Sequence, residues 1–195
     1  MNSTDICNMA LAYIGQGRIA SLGEESEEAA QCRLFYDHLR RRLLAQHYFS
    51  FSAREVKLAL LDRERQGYDF VYAMPAKCLL LQRVYEKGKA REAKKGEWKL
   101  IMVNDSVQGI ATDIENAWAS YTADVENAAV FSDSFIDALS HGLASAIAVP
   151  LSGSGSLQQA HYQLMERAVM TAKFESERQN DHKPLFPTAY TEGRR

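Results

Sequence analysis

Residues 131–171 read FSDSFIDALSHGLASAIAVPLSGSGSLQQAHYQLMERAVMT, and this stretch decides the fold class. Its first half places Phe135, Ala138, Leu139, Gly142, Leu143 and Ala146 on one stripe. Its second half, with the residue that follows it, answers with Leu157, Ala160, Leu164, Ala168 and Ala172. Spacing of i, i+3, i+4 and i+7 predicts two amphipathic helices, and the many small residues predict that they pack closely. Pro150-Leu-Ser-Gly-Ser-Gly-Ser156 joins them as a turn, with Ser156 and Gln159 spaced as a capping box. No reactive side chains converge on this hairpin, so it reads as part of an assembly rather than of an active site.

Working outward, residues 3–15 predict a first helix with Ile6, Cys7, Ala10, Leu11 and Ile14 apolar, Asp5 at its positive end and Gly15 or Gly17 closing it. A second helix is expected over about 24–46. Ser21 and Glu24 are placed to cap it, and its seam is Ala29, Cys32, Tyr36, Leu39 and Leu43. Arg40-Arg-Arg42 lies where positive charge suits the helix dipole. Phe49 and Phe51 alternate in an aromatic block that should plug the base of the helices. Strand-like patterning follows at Tyr68–Met74, Leu79–Tyr85 and Glu97–Val103, and 109–114 with 117–123 reads as a hairpin around Glu115-Asn116.

These elements predict a mainly helical α+β protein, with 1–195 as a single domain. Four main helices in residues 1–50 and 131–179 should form an antiparallel bundle. Residues 51–130 should be a β-rich excursion between the second and third helices, and 180–195 an extended C-terminal arm. That arm carries Leu185, Phe186 and Tyr190, anchors that a free tail rarely needs, so they are candidate partner-binding residues.

Composition bounds the function. The 195 residues suffice for one substantial core, and 46% hydrophobic with 25% charged residues is globular usage. A net charge of -2 gives no global pull toward nucleic acid or an anionic surface. The expectation is of no membrane partner, since no run approaches the ~20 apolar residues of a membrane helix. The start lacks a secretory pattern, which points to a cytoplasmic origin. Cys7, Cys32 and Cys78 are an odd number at wide spacing, so free thiols are expected rather than disulfides or zinc ligands.

Catalytic patterns are absent or weak, and neither catalytic residues nor a cofactor or metal site is expected. The serine-glycine loop lacks the phosphate-cradle lysine and follows a helix. His38, His47, His141, His161 and His182 show no metalloprotease spacing, although His141 and His161 fall on facing helices where they can meet near a metal. Glu24–Glu28 form a solvated helix start rather than half of a sugar-cleaving acid pair. The sharpest charge feature is the loop with Lys87, Lys89, Arg91, Lys94 and Lys95, five cations in nine residues. It is a candidate contact for DNA phosphate or an acidic partner, without an interleaved aromatic to stack a base.

Five ordered segments resemble one family. They are Leu11-Ala-Tyr-Ile-Gly15 with Ile19-Ala-Ser-Leu22; Ala29, Cys32, Tyr36, Arg41 and Leu44 on the second helix; Phe49-Ser-Phe-Ser52; Tyr72-Ala-Met-Pro-Ala-Lys-Cys-Leu79; and Phe135, Ala138, Leu139, Leu143, Ala144, Ile147, Ala148 and Leu151. Together the set resembles the head–tail connector adaptors of short-tailed bacteriophages, the family of tail tubular protein A and the portal-bound adaptor. Lys77 stands where that family usually has an acid, and Phe49 where tryptophan is common.

The resemblance implies a non-enzymatic virion protein at the head–tail junction, assembled in the host cytoplasm. It would form a ring of copies, expected to be twelve, bound beneath the portal protein. Such a ring extends the DNA channel, helps retain the packaged genome and offers a surface to the tail nozzle or tube protein. Double-stranded DNA would pass through without sequence-specific contact. Two other readings compete: a tail-associated enzyme degrading cell envelope or polysaccharide, and a DNA-binding packaging factor acting through Lys87–Lys95.

Overall fold

The structure is a computed structural model describing residues 1–62, 67–87 and 98–180. Helices occupy the two ends of the described chain. They are α1 (Ser3–Tyr13), α2 (Glu27–Ala45), α3 (Asp133–Ser152) and α4 (Gly155–Asn180). Between them run β1 (Ala53–Lys57), β2 (Phe70–Ala73), β3 (Cys78–Tyr85), β4 (Trp98–Asn104), β5 (Val107–Thr112) and β6 (Trp118–Ala123).

Helix ends follow local chemistry. Asn2 and Asp5 form a reciprocal capping box on α1, the Asp5 amide donating to Asn2 Oδ1 at 2.9 Å and the Asn2 amide to Asp5 Oδ2 at 2.8 Å. Ser26, not Ser21, caps the second helix, so α2 starts at Glu27 rather than near 24. Glu24 is engaged elsewhere, accepting from the Ala20 amide at 2.7 Å. The α3 helix runs through Pro150, in its last turn, and stops at Gly153, whose φ of 66° suits a residue without Cβ. Ser154 caps α4, accepting from the Leu157 amide at 3.2 Å, which displaces Ser156 from the expected capping role.

The helical core is built on α3, which contacts the other three helices. Phe135, Leu139, Leu143 and Ile147 are at most 1% exposed among Ile6, Leu11, Leu43 and Leu44. This helix is apolar on most faces because most faces are covered. It is long and apolar enough to cross a membrane by length and composition, contrary to the sequence expectation, yet 67% of that window is buried inside the protein. Phe49 and Phe51 close the base as expected, packing edge-on against Phe135 with ring centres 5.2 Å away in both cases. The seam of α4 is turned about one position from the expected stripe. Ala160 and Leu164 are exposed, while His161, Met165, Val169 and Ala172 face inward.

The strand region overturns the expected architecture. The protein is not a helical bundle with a single insertion: about 47% of the described residues are helix and 23% strand, with six strands in two antiparallel sheets among them. One sheet has the order β1-β6-β3 and the other β2-β5-β4. They share a second hydrophobic core of Leu58, Tyr72, Leu81, Val84, Ile110, Ala117 and Ala119. The expected hairpin over 109–123 does not form. β5 pairs with β2 and β4, β6 pairs with β1 and β3, and residues 113–117 cross from sheet to sheet. Tyr72 holds that crossing, its hydroxyl donating to the Ile114 carbonyl at 2.9 Å and accepting from the Ala117 amide at 3.4 Å. Alternating patterns specify strands, but they do not specify which neighbour a strand takes, and here the nearest in sequence is not chosen.

One buried ion pair joins the strand region to the helices. Arg40 on α2, 2% exposed, donates to Asp124 just past β6 and to the Val125 carbonyl, the latter at 2.6 Å. Arg41 reaches the second Asp124 oxygen at 2.8 Å. The Asp124 amide donates to the Lys77 carbonyl at 2.7 Å, so the entry to β3, the exit of β6 and α2 meet at one residue. In the sequence Arg40-Arg-Arg42 reads as a helix-dipole feature, with Arg41 also in the family-like set, and neither reading points to Asp124.

Candidate functional site

The first candidate from the sequence is the basic loop. Of its five cations only Lys87 lies among the described residues; Lys89, Arg91, Lys94 and Lys95 lie outside them. Lys87 is exposed, and its ammonium sits 4.9 Å from the centre of the Trp118 ring on β6. Trp118 is therefore the aromatic neighbour that the local sequence lacks, and the strand pairing Tyr85↔Trp118 brings it there from far along the chain. The surrounding cleft, about 710 Å³, also carries Lys57, Glu86, Asp113 and Glu115. Three carboxylates against two ammonium groups do not make a phosphate cradle, so the described root of the loop adds nothing to a DNA-binding patch.

The second candidate, the anchored arm with Leu185, Phe186 and Tyr190, lies outside the described residues. Its attachment point, the end of α4, lies within them. The outer face of α4 carries Tyr162, Met170 and Phe174 at i, i+8 and i+12. Met170 and Phe174 are 70% and 61% exposed. A second apolar strip lies on another element, where the β4–β5 hairpin exposes Leu100, Met102 and Val107. Neither strip was singled out from the sequence, although the spacing of the first is visible there. The second is hidden because Leu100 and Met102 lie in an alternation that reads equally well as a core-facing strand.

The third candidate, the histidine pair on the hairpin, is brought together. His141 Nδ1 and His161 Nδ1 are 3.1 Å apart, with His161 buried and His141 half-buried. Tyr13, the last residue of α1, stacks on both rings at 4.6 and 5.5 Å. The His161 Nε2 lies 3.3 Å from the Tyr13 carbonyl oxygen. Burial holds the His141 pKa below its ordinary value, the neighbouring His161 adds to this, and Asp137 opposes it.

Geometry distinguishes a shared proton from a shared metal. An imidazole nitrogen lies roughly 1.15 Å from its ring centre, so two nitrogens meeting head-on at hydrogen-bond distance put the centres about 5.4 Å apart. An ion at ~2.05 Å from both would bend the contact to an angle of about 98° and draw the centres to about 4.8 Å. The observed separation is 5.3 Å, so the lone-pair directions point at each other and the contact is N–H···N. Among the described residues no group of three or more histidine, cysteine, aspartate or glutamate side chains is placed to hold a metal.

Cys7, Cys32 and Cys78 are free, the first two buried and the third half-buried, as their positions predict. Cys7 and Cys32 hydrogen-bond to each other, and this contact with burial pushes the Cys7 thiol far above its ordinary range. Of the acids at 24–28, Glu27 and Glu28 lie in the first turn of α2, and Glu24 precedes the helix. Compared with known proteins, the chain matches no family model and no curated sequence.

Proposed function

We propose that this protein is a structural adaptor of a bacteriophage virion, placed at the head–tail junction as a ring of copies beneath the portal protein. The ring, expected to be dodecameric, would extend the DNA channel, help retain the packaged genome and present a surface to the tail nozzle or tube. DNA passes such a channel without sequence-specific contact, and a chain of net charge -2 suits that passage. The arm residues Leu185, Phe186 and Tyr190 are proposed to contact the portal or a neighbouring copy. The role is non-enzymatic.

The observation that carries the reading is the ordered set of family-like residues. Leu11, Ile14, Ala29, Cys32, Tyr36, Leu44, Phe49, Tyr72, Phe135, Leu139, Leu143 and Ile147 are all buried, each in the order that the resemblance requires. A further support is the existence of two different exposed apolar strips, on α4 and on the β4–β5 hairpin. A closed ring is built from heterologous contacts, in which one patch of each copy meets a different patch of the next. A self-complementary dimer would need only one. Among the described residues no observation favours the envelope-degrading or DNA-packaging readings.

The experiment is ring assembly on the portal, with variants in each strip. Phe174→Asp and Met102→Asp each place a charge on an exposed apolar site, so both should fold as the parent does. Each alone should weaken assembly. Full assembly by both variants removes the ring contact from the proposal, and failure of the parent chain to bind the portal removes the adaptor.

A further inference from the structure

The contact between His141, His161 and Tyr13 is a junction of three helices, and its hydrogen bonds have only one consistent proton arrangement. We propose that this imidazole pair is a proton-sensitive latch, closed when neutral and opened by acid, that holds the C-terminal turn of α1 on the α3–α4 hairpin. The inference is independent of the adaptor reading.

The Tyr13 carbonyl can only accept, so the proton between it and His161 belongs to His161 Nε2. Neutral His161 then presents a bare Nδ1 lone pair. The contact at 3.1 Å requires a donor on the other side, so His141 carries its proton on Nδ1 and leaves Nε2 bare. A first proton enters at His141 Nε2 and leaves every one of these hydrogen bonds in place. A second enters only at His161 Nδ1, where it faces the His141 Nδ1–H with no lone pair between them. The doubly charged pair therefore cannot keep this geometry, and the rings must separate.

Of the groups acting on His141, Asp137 opposes the cost of charging it. From α3 the charge acting on His141 is Asp137, one turn before it and exposed; from α4 it is His161 itself; from α1 it is the uncharged Tyr13 ring. Burial of His141 adds to the cost of charging it. A base whose pKa is held down by folding contributes stability that is present above its ordinary value, about 6.5, and lost as the pH falls below it. What separates is defined by the neighbouring contacts. Tyr13 is the end of α1, and the amides of Ile14 and Gln16 donate back to the Leu11 carbonyl at 3.2 and 2.9 Å. Gln16 Nε2 reaches the Leu151 carbonyl at 3.3 Å.

The test uses the full chain in two measurements. Ring ¹⁵N shifts at pH 7.5 should report His141 as the Nδ1–H tautomer and His161 as the Nε2–H tautomer; the Nε2–H form at both overturns the proposal. Amide exchange of Ile14 and Gln16, corrected for intrinsic rate, should show an opening constant that rises about tenfold per pH unit between pH 6.5 and 5. His141→Asn with His161→Gln keeps a side-chain N–H near each donor position and removes both imidazoles, so its profile should be flat. The slope is the readout, so a uniformly weakened variant still reports. A flat parent profile, or an unchanged slope in the double variant, contradicts the latch.

Discussion

Arg40 and Asp124 are separated by 84 positions in the chain, yet form an ion pair with both side chains at most 4% exposed. The pair lies at the seam between the helical core and the two-sheet region; the Val125 carbonyl and Asp37 also accept from Arg40, and Arg41 donates to the second Asp124 oxygen. Removing Asp124 leaves the buried Arg40 with only the exposed Asp37, at 3.1 Å, as a counter-charge. Asp124→Ala should therefore cost several kcal/mol, up to ~3–5, in chemical denaturation. Arg41→Ala, whose partner keeps Arg40, should cost less than ~1 kcal/mol. Equal small effects would show that the seam does not depend on this carboxylate.

Gly109 on β5 is a site of close approach. A Cβ there would lie 2.5 Å from Val103 Cγ2 and 3.0 Å from the Tyr72 carbonyl oxygen. The backbone contact cannot swing away, so Gly109→Ala should destabilise by about 1–3 kcal/mol or more and disturb the β2-β5-β4 sheet first. Exchange protection of the β4 and β5 amides checks this, and an unaltered pattern contradicts it.

Tyr72 tests the crossing between sheets. Its hydroxyl serves Ile114 and Ala117 together, while the ring fills the smaller core. Tyr72→Phe keeps the ring and removes the bridge, and should cost ~1–2 kcal/mol. The loss should appear in strands of both sheets.

His47 provides a second acid-sensitive contribution, separate from the hairpin pair. Burial is the first cause that lowers its pKa, and Nε2 is buried without a hydrogen-bond partner. Its ring meets Phe49 edge-on at 4.9 Å. A lowered value means stability present above about pH 6.5 and lost as the pH falls through it. His47→Phe should reduce that acid loss and leave stability at pH 7 unchanged or higher, as urea midpoints at pH 5.5 and 7.5 will show. A variant that is more acid-sensitive than the parent contradicts the assignment.

The helices were legible in the sequence because their periodicity is local. Phe135, Leu139 and Leu143 announce the face that α3 buries, and Ile6, Cys7, Ala10 and Leu11 do the same for α1. Boundaries shifted where two caps competed, as Ser26 did with Ser21. The stripe on α4 was misread by one position because what fixes its rotation is the meeting of His161 with His141 and of Met165 with Gly142 across the hairpin. The two-sheet arrangement was not legible. Strand pairing depends on partners far apart in sequence, and the turn at Glu115-Asn116 looks like any tight hairpin until Tyr72 is seen to hold it as a crossing. Of the candidate sites, the histidine pair could be located but not its chemistry, which Tyr13 decides from another helix. The ion pair at Arg40 had no local signal at all.

The adaptor reading is tested most directly by the native mass of the purified chain, alone and mixed with the portal protein of the phage genome that encodes it, as the proposal requires. The account predicts that portal and chain together give a stoichiometric ring, with loss of assembly when either apolar strip is charged. A chain that stays a monomer throughout and leaves the portal unbound would contradict it.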